Sequence, residues 1–174
     1  MPEESTRFDE RSPRQSRPGF SRGYGVNLDE AGMLSLEWVR RQLETSRNYW
    51  VASTRPDGRP HVSPVWGLWL DDVFYFGTSR RSRKGKNLAA NPAVIVHVES
   101  GDDVVILEGA VRELSERATL LRYVDAYDAK YAVRPNIDDE PGGDVTYLLR
   151  PDVVLAWTER EFLTTPTRWT FGNR

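Results

Sequence analysis

Cysteine is absent from the 174 residues, and histidine occurs only at positions 61 and 97. Without a thiol there is no disulfide scaffold, thiolate nucleophile, iron–sulfur cluster or Cys-type zinc site. Two imidazoles are too few for a His-rich metal centre or an H-E-x-x-H protease. No apolar run approaches the roughly 20 residues that span a bilayer. The opening Met1-Pro2-Glu3-Glu4 lacks the basic-then-apolar character of a secretory signal, so a cytoplasmic location is expected. A dominant charge is missing too: 24 basic against 26 acidic residues leave a net charge of −2. That balance supplies no global field for nucleic acid or an anionic membrane. Hydrophobic residues, at 39%, fall below the globular average. Part of the chain is therefore expected to lie outside a packed core.

What is present divides into segments. Residues 1–27 hold three prolines (Pro2, Pro13, Pro18), five arginines (Arg7, Arg11, Arg14, Arg17, Arg22) and few apolar side chains beyond Phe8, Phe20, Tyr24 and Val26. Such a stretch buries too little surface to offset its ordering entropy, so it reads as a flexible tail, with an arm lying over a partner subunit as the alternative. Ser35 is a fitting N-cap for an amphipathic helix over 35–47, whose Leu36, Val39 and Leu43 fall on one stripe. The period then changes. Tyr49–Thr54, His61–Leu70 and Val73–Thr78 read as a three-stranded meander, turned at Pro56-Asp57-Gly58 and Asp71-Asp72. Ser82–Asn91 is a short basic helix stopped by Pro92. Ala93–Glu99 reads as a strand buried on both faces, and Val104–Arg112 as the next strand. Ser115 is the expected cap of a helix from Glu116 to about Tyr131. Asn136–Asp144 is an acidic loop without EF-hand spacing, so it reads as solvated rather than calcium-binding. Val145–Leu149, Val153–Thr158 and Arg168–Phe171 close the pattern. Many short strands with two or three helices point to a small antiparallel barrel with helical additions.

The chemistry concentrates at Thr78–Leu88. Five cations fall within Arg80–Lys86, with hydroxyls at Thr78, Ser79 and Ser82, where a strand ends and a helix begins. Helix-start N–H groups, hydroxyls and Arg or Lys together suit a phosphate. The G-x-x-x-x-G-K-[ST] pattern is missing, so this is not a nucleotide P-loop. A second feature is Val62–Trp69. Pro64 implies an edge or a bulge, and Gly67 beside Trp66 and Trp69 leaves room for a flat ring against backbone.

Asp57-Gly58-Arg59-Pro60, Phe74-Tyr75-Phe76-Gly77-Thr78 and above all Ser82-Arg83-Lys84-Gly85…Leu88-Ala89-Ala90-Asn91-Pro92 resemble the pyridoxamine 5′-phosphate oxidase-like split barrels. The resemblance covers about residues 46–115 well and the C-terminal third loosely. It implies a mainly β, six- to eight-stranded antiparallel split barrel with flanking helices over 28–174. It also implies a homodimer that binds FMN, or the deazaflavin coenzyme F-420, between protomers. On matched positions, Ser63, Pro64, Val65, Trp66, Gly67 and Leu68 would line the flavin ring. Gly77 and Thr78 would meet the ribityl chain and phosphate. Arg83 and Lys84 would hold the phosphate, with Ser82 and Asn87 in the same element. Trp157 and Arg168 would come from the second protomer. The family's true oxidases carry Arg where Ser63 stands and end in an Arg-x-His signature, where this chain has Thr167-Arg168-Trp169. The Trp66-Gly67-x-Trp69 strand and the Thr-Arg-Trp-Thr-Phe ending are more similar to the flavin/deazaflavin oxidoreductase branch of actinobacteria.

The expected activity is hydride transfer to or from a small organic substrate through a flavin-type cofactor, which carries the hard step itself. No catalytic acid or base is assigned. His61 is a surface or hydrogen-bonded strand residue that could also donate a proton, and His97 is a satisfied core residue. The rival readings are a non-catalytic flavin or tetrapyrrole binder, pyridoxamine 5′-phosphate oxidase proper, and a nucleic-acid-binding barrel that uses Arg80–Lys86.

Overall fold

A computed structural model of the chain describes residues 13–137 and 143–172. It holds ten strands: β1 (Arg14–Ser16), β2 (Tyr49–Thr54), β3 (Pro60–Val65), β4 (Gly67–Leu70), β5 (Val73–Ser79), β6 (Ala93–Val98), β7 (Asp103–Glu113), β8 (Asp144–Leu149), β9 (Val153–Thr158) and β10 (Thr167–Thr170). Three α-helices accompany them: α1 (Leu36–Thr45), α2 (Arg83–Ala90) and α3 (Arg117–Tyr131). Every pairing is antiparallel.

The barrel runs β3-β2-β6-β7-β8-β5-β4, and β9, β10 and β1 extend one sheet beyond β7. The long β7 serves both sheets, since residues 103–110 pair β6 and β9 while Val111–Glu113 pair β8. Between β3 and β4 there is no ladder. Consecutive in sequence, they end in different sheets, so the barrel is split there. The expected single strand over His61–Leu70 is thus corrected to two, broken at Trp66. Gly67 permits the break, because a Cβ there would meet the fully buried Phe74 ring, with Cε2 at 2.7 Å. Asp71 and Asp72 sit at φ 51° and 60°, a two-residue hairpin conformation that short polar side chains tolerate. Asp72 is held by both Arg40 nitrogens at 2.8 and 3.0 Å.

The inner core gathers Tyr49, Val51, Phe74, Phe76, Val96, Leu107 and Leu149 under α1, through Val39 and Leu43. A second cluster places Tyr123, Val124 and Tyr131 of α3 on the outer side of β4 and β5, against Leu68, Val73 and Tyr75. Two local expectations change. Strand β6 is buried on one face only: Val94, Val96 and Val98 point inward while Ile95 is 41% exposed. Helix α3 is capped by Glu116 rather than Ser115, because its carboxylate reaches the amides of Ala118 and Thr119 at 2.9 and 2.8 Å. Ser35 caps α1 as expected, and Ser82, read from the sequence only as the first residue of a short basic helix, caps α2. Of the acidic loop, residues 138–142 lie outside the described residues.

The expectation of a flexible tail through residue 27 is corrected from Arg14 onward; residues 1–12 lie outside the described residues. Strand β1 pairs β10 of the same chain. The Arg17 guanidinium donates to the carbonyls of Asp29, Ala31, Thr164 and Pro166 at 2.6–2.9 Å. Phe20 packs edge-on against Trp157 and Phe162 at 6.1 and 5.3 Å. The segment is short of apolar surface but rich in donors for exposed carbonyls, a source of order that hydrophobic patterning does not register. Arg17→Ala is therefore expected to destabilise the fold by about 1.5–3 kcal/mol, the scale of charge-assisted hydrogen bonds. Removing residues 1–27 should cost more. Urea titration of both variants checks this, and midpoints equal to the parent's would restore the passive tail.

Candidate functional site

The split is walled by β3 on one side and by β5 with the start of α2 on the other. Strand alternation puts His61, Ser63 and Val65 on the inner face of β3, opposite Ser53, Val51 and Tyr49 of β2. Helix α2 closes this end: Asn87 is fully buried and donates through Nδ2 to Ser53 Oγ at 3.1 Å. The N-cap Ser82 accepts from the Gly85 amide at 2.9 Å and lies 3.1 Å from Thr78 Oγ1, tying the helix start to the end of β5. Gly85 is required there. A Cβ would sit well inside the van der Waals contact distance of Ser79 O and 3.0 Å from Arg80 Cα.

Lys84 is the central feature. Its side chain is buried, 8% exposed, and Nζ lies 5.6 Å from the Phe76 ring centroid. No hydrogen bond or ion pair to it occurs among the described residues. Burial pushes its pKa down to about 8. Beside it are four buried polar atoms without a partner among the described residues: Arg55 Nε, His61 Nδ1, Ser63 Oγ and Asn87 Oδ1. Burial first, then the charges of Arg55, Lys84 and Arg83, hold the His61 imidazole below its ordinary pKa. Native interiors rarely leave so many polar groups unsatisfied in one place. Donors and two cations, Lys84 and Arg55, dominate the set, so an anion with several acceptor oxygens is the group that would complete it.

The structure therefore gathers Ser63, Thr78, Ser82, Lys84 and Asn87 of the sequence-derived set, with Arg83 exposed at the helix start. Pro64 points outward, Val65 enters the core, and Trp66 stacks on Tyr131 at 4.8 Å and 4°. Gly67 and Leu68 lie beneath α3, where the Gly67 amide donates to the Tyr131 hydroxyl at 3.1 Å. Gly77 faces α3, not Lys84: a Cβ there would approach Tyr123 Oη at 3.6 Å. Trp157 and Arg168 stand on β9 and β10, separated from β2 by β7 and β6, around a 300 Å³ pocket that Phe20 helps to line. Within one chain they do not join the Lys84 cluster. Ser53 and Arg55 were missed. Their signal was the hairpin register, which sets Ser53, His61 and Ser63 together as polar residues on an otherwise apolar face. His97 is half-buried and bonds through Nδ1 to Val98 O at 2.7 Å.

The family model described as pyridoxamine 5′-phosphate oxidase matches residues 36–158, well over half of the chain. The chain belongs to the pyridoxamine 5′-phosphate oxidase family. A pyridoxine/pyridoxamine 5′-phosphate oxidase from Gluconobacter oxydans is 27% identical over 144 residues, covering 64% of this chain and 71% of the relative. The chain spans 44% of the oxidases from Cupriavidus necator and Cupriavidus taiwanensis. Among solved structures, a conserved hypothetical protein of Mycobacterium tuberculosis superposes with a TM-score of 0.62 at 23% identity, covering 75% of this chain and 88% of that one. An F420 reductase superposes with a TM-score of 0.52 at 26% identity, covering 66% of this chain and 94% of that one. These solved structures share the split barrel found here. Among the described residues no cluster of His, Asp and Glu could hold a metal ion, and no helix is long and apolar enough to cross a membrane.

The site has a pH signature. Lys84 and Lys130 both have pKa values lowered to about 8 by burial, with the Arg47 charge a second cause at Lys130, so their folded values lie below the unfolded 10.5. Their desolvation cost is present in full below about 8 and disappears as pH rises toward 10.5. The buried Tyr49 and Tyr123 act in the opposite sense, because burial raises their values above 10.0 and the stability they add is lost above that pH. The urea midpoint of the cofactor-free protein is therefore expected to rise from pH 8 to pH 10 and fall beyond it. A steady decline across that interval would contradict the assignment of the two lysines as buried cations.

Proposed function

We propose that the protein is an oxidoreductase that binds a phosphate-bearing flavin-type cofactor, FMN or the deazaflavin F-420, in the split and transfers hydride to or from a small organic substrate. The observation that carries this reading is the buried, unpaired Lys84 amid the unsatisfied atoms of Arg55, His61, Ser63 and Asn87. Lys84, Arg83, Ser82 and Thr78 would hold the phosphate. When bound, the cofactor's ring supplies the hydride chemistry. The chain's own residues bind and orient it. Lys84 neutralises the phosphate, Asn87 and Ser82 fix the helix that presents Lys84, and the Phe76 face keeps water from its ammonium. Kinship with oxidases and likeness to an F420 reductase support the class.

The reading includes a homodimer. The outer face of the sheet at the split carries Val62, Ala52 and Ile95 in one ladder row, with Val62 54% and Ile95 41% exposed. An exposed apolar row on an edge strand is the kind of surface a second copy covers. It would also bring the partner's Trp157 and Arg168 toward the cofactor. Light scattering should give about twice the 19.9 kDa chain mass.

The test is calorimetric titration with FMN and with F-420, followed by turnover with reduced nicotinamide or reduced F-420 as donor. Micromolar binding with turnover is expected. Binding without turnover would leave a storage or sensing module, turnover of pyridoxamine 5′-phosphate would make it an oxidase proper, and no heat with either cofactor would remove the reading.

A further inference from the structure

A cavity of ≈ 560 Å³ lies between α3 and the outer side of β5 and β8, lined among others by Gly77, Leu114, Leu120, Tyr123, Tyr127 and Ile137. Strand β5 stands between it and the Lys84 cluster, since Phe76 faces Lys84 while Gly77 faces Tyr123, and the two meet at Thr78, which contacts Ser82 and also lines the cavity.

The cavity is built rather than left over. Arg117, Leu120, Tyr123 and Tyr127 succeed one another along one face of α3, so the helix aims a single stripe at it. Tyr123 is 1% exposed as a residue, but its hydroxyl oxygen is not among the buried unpartnered atoms: it borders the cavity and makes no hydrogen bond to the described residues. Its ring packs on Tyr75 and Tyr127 at 6.1 and 5.5 Å, which fixes where that hydroxyl points. Gly77, with no side chain, leaves the floor open beneath it. A hydroxyl on a cavity wall with no protein acceptor is free to donate to a ligand that enters. Among the described residues the charged lining residues balance: Arg80 is paired with Glu113, and Arg117 and Asp144 add one charge of each sign. Those four give a strongly charged ligand no advantage. The walls, Leu114, Leu120, Ile137 and the Tyr127 ring, suit a flat apolar body.

We propose that this cavity is a second ligand site, for a small uncharged aromatic compound whose carbonyl oxygen accepts from the Tyr123 hydroxyl. The proposal rests on the cavity and not on the flavin reading.

Coumarin, an uncharged bicyclic lactone, is the probe, titrated into the full-length protein by calorimetry, with naphthalene as the analogue that lacks the carbonyl. Saturable coumarin binding is expected. Tyr123→Phe should weaken it roughly 2- to 12-fold, the worth of one hydrogen bond, and leave naphthalene unaffected. Leu120→Trp should block both by filling the cavity. Lys84→Ala should leave coumarin affinity unchanged while weakening FMN or F-420, so the two sites fail independently. No saturable binding, or equal affinity in Tyr123→Phe, overturns the proposal. Competitive displacement of coumarin by FMN or F-420 overturns it as well, since the cavity would then belong to the cofactor seat. A folded far-ultraviolet spectrum of each variant guards against misreading a loss.

Discussion

Replacing Lys84 by alanine is expected to weaken FMN or F-420 binding roughly 10- to 150-fold, the value of one charge-assisted bond to phosphate. The same change at this position, made as Lys84→Met to keep the volume, should stabilise the cofactor-free protein. The lysine is buried without a partner among the described residues, and its pKa is lowered from 10.5 to about 8. That shift corresponds to a folding cost on the order of 3 kcal/mol at neutral pH. Removing the ammonium relieves the cost, while the methionine stem still covers Phe76. Opposite signs for affinity and stability are what separate a binding cation from a structural one. Arg83→Ala should weaken binding less, because Arg83 is exposed. Arg80→Ala should weaken it least, because Arg80 is engaged by Glu113. Calorimetry and urea titration on the three variants decide the matter. Equal losses of affinity at all three would indicate a diffuse basic patch, and a less stable Lys84→Met protein would mean that the ammonium has a structural partner.

Gly85→Ala is expected to damage fold and site together. In an open helix, Gly→Ala gains about 1 kcal/mol of propensity. Here the new methyl would press on the backbone of Ser79 and Arg80, which cannot yield as a side-chain tip can. Overpacking against fixed atoms costs about 1–3 kcal/mol and outweighs the gain. In a chain of this size each kcal/mol lowers Tm by about 2–4 °C. The relief open to the chain is to tilt α2 away from β5, which would break the Thr78–Ser82 contact and withdraw Lys84. Cofactor affinity should therefore drop along with Tm. A variant with raised Tm and normal binding would mean that the helix start is loosely seated.

Much of this architecture was legible because local chemistry and global fold agree. Strands β2 and β9 lie where the sequence pattern placed them, and Ser35 caps its helix by the usual side-chain bond. The failures share a cause: they depend on which strand lies next to which. Nothing in His61–Leu70 marks Trp66 as the point of departure, since the residues after it remain apolar; the break exists because Gly67 must pair Phe76 in the other sheet. Ile95 looks like core until β2 and β7 are placed on either side of it, leaving its outer face bare. The cations of α2 were legible as a motif. Ser53 and Arg55 were not, because their nearness to Lys84 is a product of hairpin register.

The pairing of β1 with β10 joins the first strand of the described chain to its last. During synthesis, Arg14–Ser16 emerges long before Thr167–Thr170 exists to receive it. At about 5–20 residues per second, that leaves the arm without its ladder for several seconds. Docking of the arm therefore waits on β10. A ribosome stalled before β10, or a protease acting there, leaves Arg14–Ser16 without its ladder.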